Sequence, residues 1–128
     1  MAKLKILVVE DDKNNLELLT VVLQTHGYEV VAARTGAEAL VAARAEQPAL
    51  ILMDMQMPVM DGYTATQHLK ADPATAAIPV VAVTAYALTG DREKVMAAGC
   101  ADYITKPVNT RELPERLRQI LDRTETCD

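Results

Sequence analysis

The chain has 128 residues, half of them hydrophobic, with no Phe or Trp and only four Tyr. That is the size of one domain, and its core has to be built from aliphatic side chains. Thirteen Lys and Arg against eighteen Asp and Glu leave a net charge of −5 with no basic cluster, which argues against nucleic acid as a partner of this chain. Cys100 and Cys127 form no CxxC or Cys/His pattern and are expected as free thiols in a reducing compartment. No apolar stretch follows the opening lysines as a secretory core would, and none is long enough to span a bilayer. A cytoplasmic location is therefore expected, with no membrane association.

In chain order, Leu4 to Val9 is an apolar, β-rich run that empties into Glu10-Asp11-Asp12. The next element reads as a helix from about Lys13 to His26, with Leu16, Leu19 and Leu23 on one face and Gly27 at the C′ position. Glu29 to Ala33 is a short strand. Thr35 and Glu38 have the spacing of a capping box, and Ala39, Leu40 and Ala43 give the helix behind them a small-residue face until Pro48 stops it. Leu50 to Met53 is a buried strand that runs straight into Asp54, after which Pro58 and Asp61-Gly62 turn the chain into a helix ending near Asp72-Pro73. Pro79 introduces the strand Val80 to Thr84. A loop of small residues with Tyr86 leads to a short helix expected from about Asp91 to Ala98-Gly99. Asp102 to Thr105 is the last strand, closed by Lys106-Pro107. Asn109 to Glu112 has cap spacing ahead of the stripe Leu113, Leu117, Ile120 and Leu121. Pro114 would sit badly inside a helix started at that cap, so its regular part is expected to begin later.

Strands alternating with helices predict a (βα)5 α/β fold, a parallel sheet with right-handed crossovers and helices on both faces. In such sheets ligands bind outside the carboxyl ends of the strands. Four strand ends carry polar groups there: Glu10 with Asp11, Asp54, Thr84 and Lys106. Carboxylates converging in one crevice repel, and a hard divalent cation or a raised pKa relieves them. An ammonium and a hydroxyl beside them suit a site that receives a phosphoryl group on a carboxylate, where positioning and charge neutralisation carry the reaction. Any one of these residues alone reads as a surface acid, a cap or a solvated lysine; the ordered set is what carries the chemistry.

At these residues the chain resembles two-component response-regulator receiver domains, over about Lys3 to Leu121. The resemblance rests on Val8-Val9-Glu10-Asp11-Asp12, on Leu52 to Gly62 around Asp54, on Val83-Thr84-Ala85 and on Tyr103-Ile104-Thr105-Lys106-Pro107. It implies a flavodoxin-like sheet of order 2-1-3-4-5. The sequence stops soon after the last expected helix, so a receiver domain over 1–123 with a short tail at 124–128 and no output domain is expected. The resemblance further implies that Asp54 accepts a phosphoryl group from a sensor histidine kinase or phosphotransfer protein. Mg²⁺ would be held by Asp11, Asp54 and the Gln56 carbonyl, with Glu10 acting mainly through water. Thr84 and Lys106 would contact the phosphoryl oxygens, Tyr103 would rotate with the state, and Tyr86, Arg92, Lys94, Tyr103 and Arg111 would present an output surface to a downstream target. Tyr86 is expected either to shield the phosphoryl group from water or to face that partner. The expected protein is a switch, not an enzyme acting on external substrates, and a monomer or weak dimer. A stand-alone receiver is favoured over one excised from a hybrid histidine kinase.

Two other classes fit less well. A haloacid dehalogenase-type phosphatase resembles Asp-x-Asp, and here Gln56 stands at the second position. A flavodoxin-like FMN carrier would need a Ser/Thr/Gly-rich loop where this chain has Glu10-Asp11-Asp12.

Overall fold

The structure, a computed structural model, describes residues 3–57, 59–85, 89–106 and 108–126. Five strands alternate with five helices: β1 (Lys5–Val9), α1 (Lys13–Thr25), β2 (Glu29–Ala33), α2 (Gly36–Glu46), β3 (Leu50–Asp54), α3 (Gly62–Ala71), β4 (Val80–Thr84), α4 (Thr89–Ala97), β5 (Asp102–Thr105) and α5 (Leu113–Thr126). The strands form one parallel sheet in the order β2-β1-β3-β4-β5. β3 lies between β1 and β4, with Leu52 level with Val8 on one side and Val81 on the other.

Residue parity decides which side of the sheet each strand residue covers. Leu7, Val9, Ile51, Met53, Val80 and Ala82 pack with Ala39, Ala43, Ala65, Leu69 and Val95, so α2, α3 and α4 cover that face. Ile6, Val8, Leu50, Leu52, Val81 and Val83 pack with Leu19, Leu23, Leu117 and Ile120, so α1 and α5 cover the other. All five residues of β3 and of β4 are buried, as both-face coverage requires, and their unbroken apolar runs follow from it. Alanines do much of the filling on the α2–α4 face, where Ala39, Ala43 and Ala65 are fully buried.

Local chemistry sets the helix ends. The Asp12 side chain accepts from the Asn14 and Asn15 N–H groups and starts α1, while Gly27 leaves it at a φ of 91°. Thr35 caps α2 by accepting from Glu38 N at 3.1 Å; the reciprocal bond of a capping box is replaced by Thr35 Oγ1 donating to Glu38 Oε2 at 3.4 Å. Asp61 caps α3 through Thr64 N at 2.8 Å. Asn109 Oδ1 accepts from the Arg111 and Glu112 N–H groups in a turn ahead of α5. Regular helix begins only at Leu113, so Pro114 stands in the first turn, where no backbone donor is needed.

Two boundaries differ from expectation. α4 starts at Thr89, ahead of Asp91, because Gly90 is carried inside the first turn; a helical glycine costs only about 1 kcal/mol, which tertiary packing can outweigh. The chain after residue 123 is not wholly a tail, since α5 continues to Thr126. Arg123 and Arg116 both reach Asp102 of β5, at 2.9 and 3.2 Å, and tie the helix to the sheet edge.

Candidate metal and phosphoryl site

The site lies at the carboxyl edge of the sheet, where β1, β3, β4 and β5 end side by side. Glu10 follows β1 directly, and its N–H donates to Ala33 O at 3.0 Å, continuing the β1–β2 ladder one step beyond the strand. Asp54 closes β3, and Met55 N donates to Val83 O at 2.9 Å, which holds the loop start against β4. Lys106 N donates to Thr84 O at 2.8 Å, so the ends of β4 and β5 are joined by backbone.

Glu10, Asp11 and Asp54 each offer a carboxylate oxygen, and these oxygens lie within 4.8 Å of one another. Asp12 is drawn off as the cap of α1 and takes no part. Asp54 is 3 % exposed and Glu10 5 %, a degree of burial that two adjacent carboxylates do not tolerate when both are charged. Burial, and then the neighbouring Asp54 carboxyl, push Glu10 from its ordinary 4.5 up to about 8, against the pull of Asn15 and Lys106. Among the described residues Glu10 Oε2 is buried with no hydrogen-bond partner. An orphaned acidic oxygen facing two more carboxylates is what a hard cation with oxygen ligands would satisfy, and the donor set fits Mg²⁺.

Two N–H donors share one oxygen of Asp54. Lys106 Nζ donates to its Oδ1 at 2.9 Å and Gln56 N donates to the same atom at 3.0 Å. Both of these donors fall on Oδ1, and the neighbouring Glu10 carboxyl also hydrogen-bonds the Asp54 carboxylate. Gly62 lets α3 start hard against this strand end: a Cβ there would come within 2.5 Å of Asp54 O and 2.7 Å of Met55 Cα. Between them Val59 is fully exposed with a φ of 66°, a left-handed conformation that a β-branched side chain disfavours.

Glu10, Asp11, Asp54, Gln56, Thr84 and Lys106 are thus brought together. Tyr103 on β5 is half-buried and packs against the α2–α4 side of the core. Of the expected output residues, Tyr103 and Arg111 line one groove with Asn109, Leu113 and Arg116, of about 640 Å³. Lys94 does not join them; its ammonium sits 4.3 Å from the centre of the Tyr63 ring on α3. Tyr86 and the Arg92 side chain lie outside the described residues, as do Pro58, Pro107 and Cys127.

The Gln56 side chain is the part the sequence did not disclose. Its Nε2 donates to Thr84 Oγ1 at 3.0 Å, and its Oε1 accepts from Ala85 N at 3.0 Å. One amide, two residues past Asp54, therefore clasps the end of β4. The only signal in the sequence is a side chain with both a donor and an acceptor at a position facing that strand end.

A flavodoxin-like sheet with buried acids, one lysine and one hydroxyl at its switch-point edge defines the class of site. The model of the response regulator receiver domain matches residues 6–118, and the chain belongs to that family. The polar-differentiation response regulator DivK of Brucella abortus (strain 2308) is 40 % identical over 116 residues, covering 91 % of this chain and 94 % of its own length. A CheY-like receiver domain protein of Methanospirillum hungatei JF-1 superposes with a TM-score of 0.90 at 31 % identity, covering 99 % of this chain and 100 % of the other. The receiver domain of a sensor histidine kinase of Pseudomonas aeruginosa PAO1 has 37 % identity and a TM-score of 0.86 over 94 % of this chain and 99 % of its own, and carries magnesium coordinated in its active-site cleft. Among the described residues no helix is long and apolar enough to cross a membrane.

Proposed function

We propose that this chain is a phosphorylation-dependent switch whose acceptor is Asp54. The observation that carries the reading is the Asp54 carboxylate: buried beside Glu10 and Asp11, with Lys106 and Gln56 N both on Oδ1. Its donor is a phosphohistidine on a sensor histidine kinase or phosphotransfer protein. Asp54 Oδ2 attacks the phosphorus, the new O–P bond forms as the P–N bond breaks, and the imidazole nitrogen keeps the electron pair. Asp54 is fixed for that attack because its other oxygen is tied down on both sides, and the Lys106 ammonium offsets negative charge as it gathers on the phosphoryl oxygens. Mg²⁺ held by Asp11, Asp54 and the Gln56 carbonyl, with Glu10 acting through water, would supply further neutralisation of those oxygens.

The phosphoryl group brings about 1.5 to 2 negative charges and three acceptor oxygens to the end of β3. Thr84 and Lys106, joined through their backbones, are drawn towards it, and the Tyr103 ring follows inwards. The face that includes Tyr103 and Arg111 then changes its affinity for a downstream target, a population shift between two packings. Turnover is limited to the protein's own phosphorylation and dephosphorylation, in the cytoplasm. We favour a free-standing protein; a whole-cell immunoblot band much larger than this chain would instead make it the receiver of a hybrid kinase.

The test is labelling by a competent kinase or acetyl phosphate with Mg²⁺ present. Acid-labile, hydroxylamine-sensitive phosphate is expected on the wild type and not on Asp54→Asn, and full labelling of the variant refutes the assignment.

A further inference from the structure

We propose that the Gln56 side chain is a positioning residue that latches the resting state by holding the end of β4 in the place it must leave when Asp54 is phosphorylated. This rests on the function proposed above. Gln56 Oε1 takes the Ala85 N–H at 3.0 Å, and Gln56 Nε2 is donated to the Thr84 hydroxyl oxygen at 3.0 Å. Both partners stand at the carboxyl end of β4, next to the strand that ends in Asp54.

The amide is well placed to act as a stand-in for a phosphoryl group. Ala85 N–H points into the crevice from a strand end, and there the Gln56 carbonyl oxygen is its acceptor. A phosphoryl group on Asp54 introduces three stronger acceptors beside the same strand end. The resting protein therefore keeps this donor satisfied with a neutral oxygen from its own chain, and phosphorylation offers a charged one. Thr84 is fully buried, so its hydroxyl oxygen cannot exchange the amide for water without local opening. Gln56 itself is only half-buried and sits in the loop between β3 and α3, so its side chain can swing clear at little cost to the fold.

The chemistry requires an amide. A carboxylate here would keep an acceptor for Ala85 N–H but could not donate to Thr84, and it would add a fourth acid to the site. An aliphatic residue would do neither. Because both bonds are made in the resting arrangement, removing them raises the free energy of that arrangement and leaves the phosphorylated one comparatively favoured.

Two measurements test this, on Gln56→Met, which keeps the length of the side chain without its amide, and on Gln56→Ala. The first needs neither metal nor phosphoryl donor. Amide hydrogen exchange at Ala85, followed by NMR, is expected to rise on the order of tenfold in both variants, the loss of a single hydrogen bond's protection, while exchange at Met55, which donates to Val83 O, stays the same. The second is the dissociation constant of beryllofluoride, a tetrahedral mimic of the phosphoryl group, with Mg²⁺ present. It is expected to fall about fivefold to tenfold in both variants, as the mimic no longer has to displace the amide. Unchanged Ala85 exchange overturns the latch outright, and unchanged or weaker beryllofluoride binding by the variants overturns its role in switching. Failure of the wild type to take either beryllofluoride or phosphate on Asp54 counts against the proposed function instead, and the exchange measurement still decides whether the latch exists.

Discussion

Glu10→Gln should make the metal-free protein more stable at neutral and alkaline pH. In the fold the Glu10 carboxyl is pushed from 4.5 up to about 8, first by burial and then by Asp54, so between those values the native state binds a proton that the unfolded chain has released. Stability therefore falls as pH rises, by about 1.4 kcal/mol per pH unit across the window. Followed to its upper end the loss is on the order of 5 kcal/mol, comparable to the whole stability of a small domain. Glutamine has the same shape and carries no charge at any pH, so the variant lacks this slope. The assay is urea denaturation in EDTA at pH 5, 7 and 9, with one m-value fitted to both proteins. At pH 5, where Glu10 is largely protonated in the fold, the two should lie close together. At pH 9 the variant should be ahead by at least 2 kcal/mol, allowing for relaxation around the buried acid. Parallel curves for the two proteins from pH 5 to 9 would refute the reasoning, because they would mean that Glu10 ionises in the fold as easily as in the unfolded chain.

The same raised value bears on metal binding: Mg²⁺ uptake near pH 7 should release close to one proton, measured by calorimetry in buffers of different ionisation enthalpy, and Asp11→Ala should weaken Mg²⁺ binding and phosphorylation together. No proton release, or unchanged Mg²⁺ affinity in Asp11→Ala, would remove the three-acid site as the metal centre. Gly62→Ala should lower the melting temperature by roughly 10 °C, since the new Cβ meets the backbone of Asp54 and Met55, which cannot yield as a side chain would, and overpacking of this kind costs about 3 kcal/mol. A melting temperature within about 2 °C of wild type would show that α3 can back away from the strand end without penalty.

What could be read from the sequence, and what could not, divides along a physical line. Glu10, Asp54, Thr84 and Lys106 were legible because each interrupts or follows an apolar run, and a parallel topology gathers the carboxyl ends of strands on one edge. The order of the strands came from resemblance, since β3 and β4 are both apolar throughout and neither pattern says which neighbour lies where. Asp12 could not be separated from Glu10 and Asp11 by composition; it is excluded from the acid cluster only because its carboxylate is spent on the Asn14 and Asn15 N–H groups. Lys94 was assigned to the output surface by its element and is exposed on α4, but its contact with the Tyr63 ring could not be read from the sequence, because it depends on how α4 packs beside α3. The Gln56 clasp was out of reach because a hydrogen bond between side chains twenty-eight positions apart depends on loop geometry, which no periodicity encodes.

The backbone bond from Lys106 N to Thr84 O also makes a statement about heredity. Because a backbone hydrogen bond of 2.8 Å joins the lysine to the threonine, the two positions are expected not to contribute independently, and a damaged variant at one is expected to be repairable at the other. A selection for revertants of a weak Lys106 substitution should therefore return second-site changes clustered at Thr84, Ala85 and Gln56, not scattered over the core. The ancestry of such a site would be traced through paired replacements, each tolerated only in the background that the other provides.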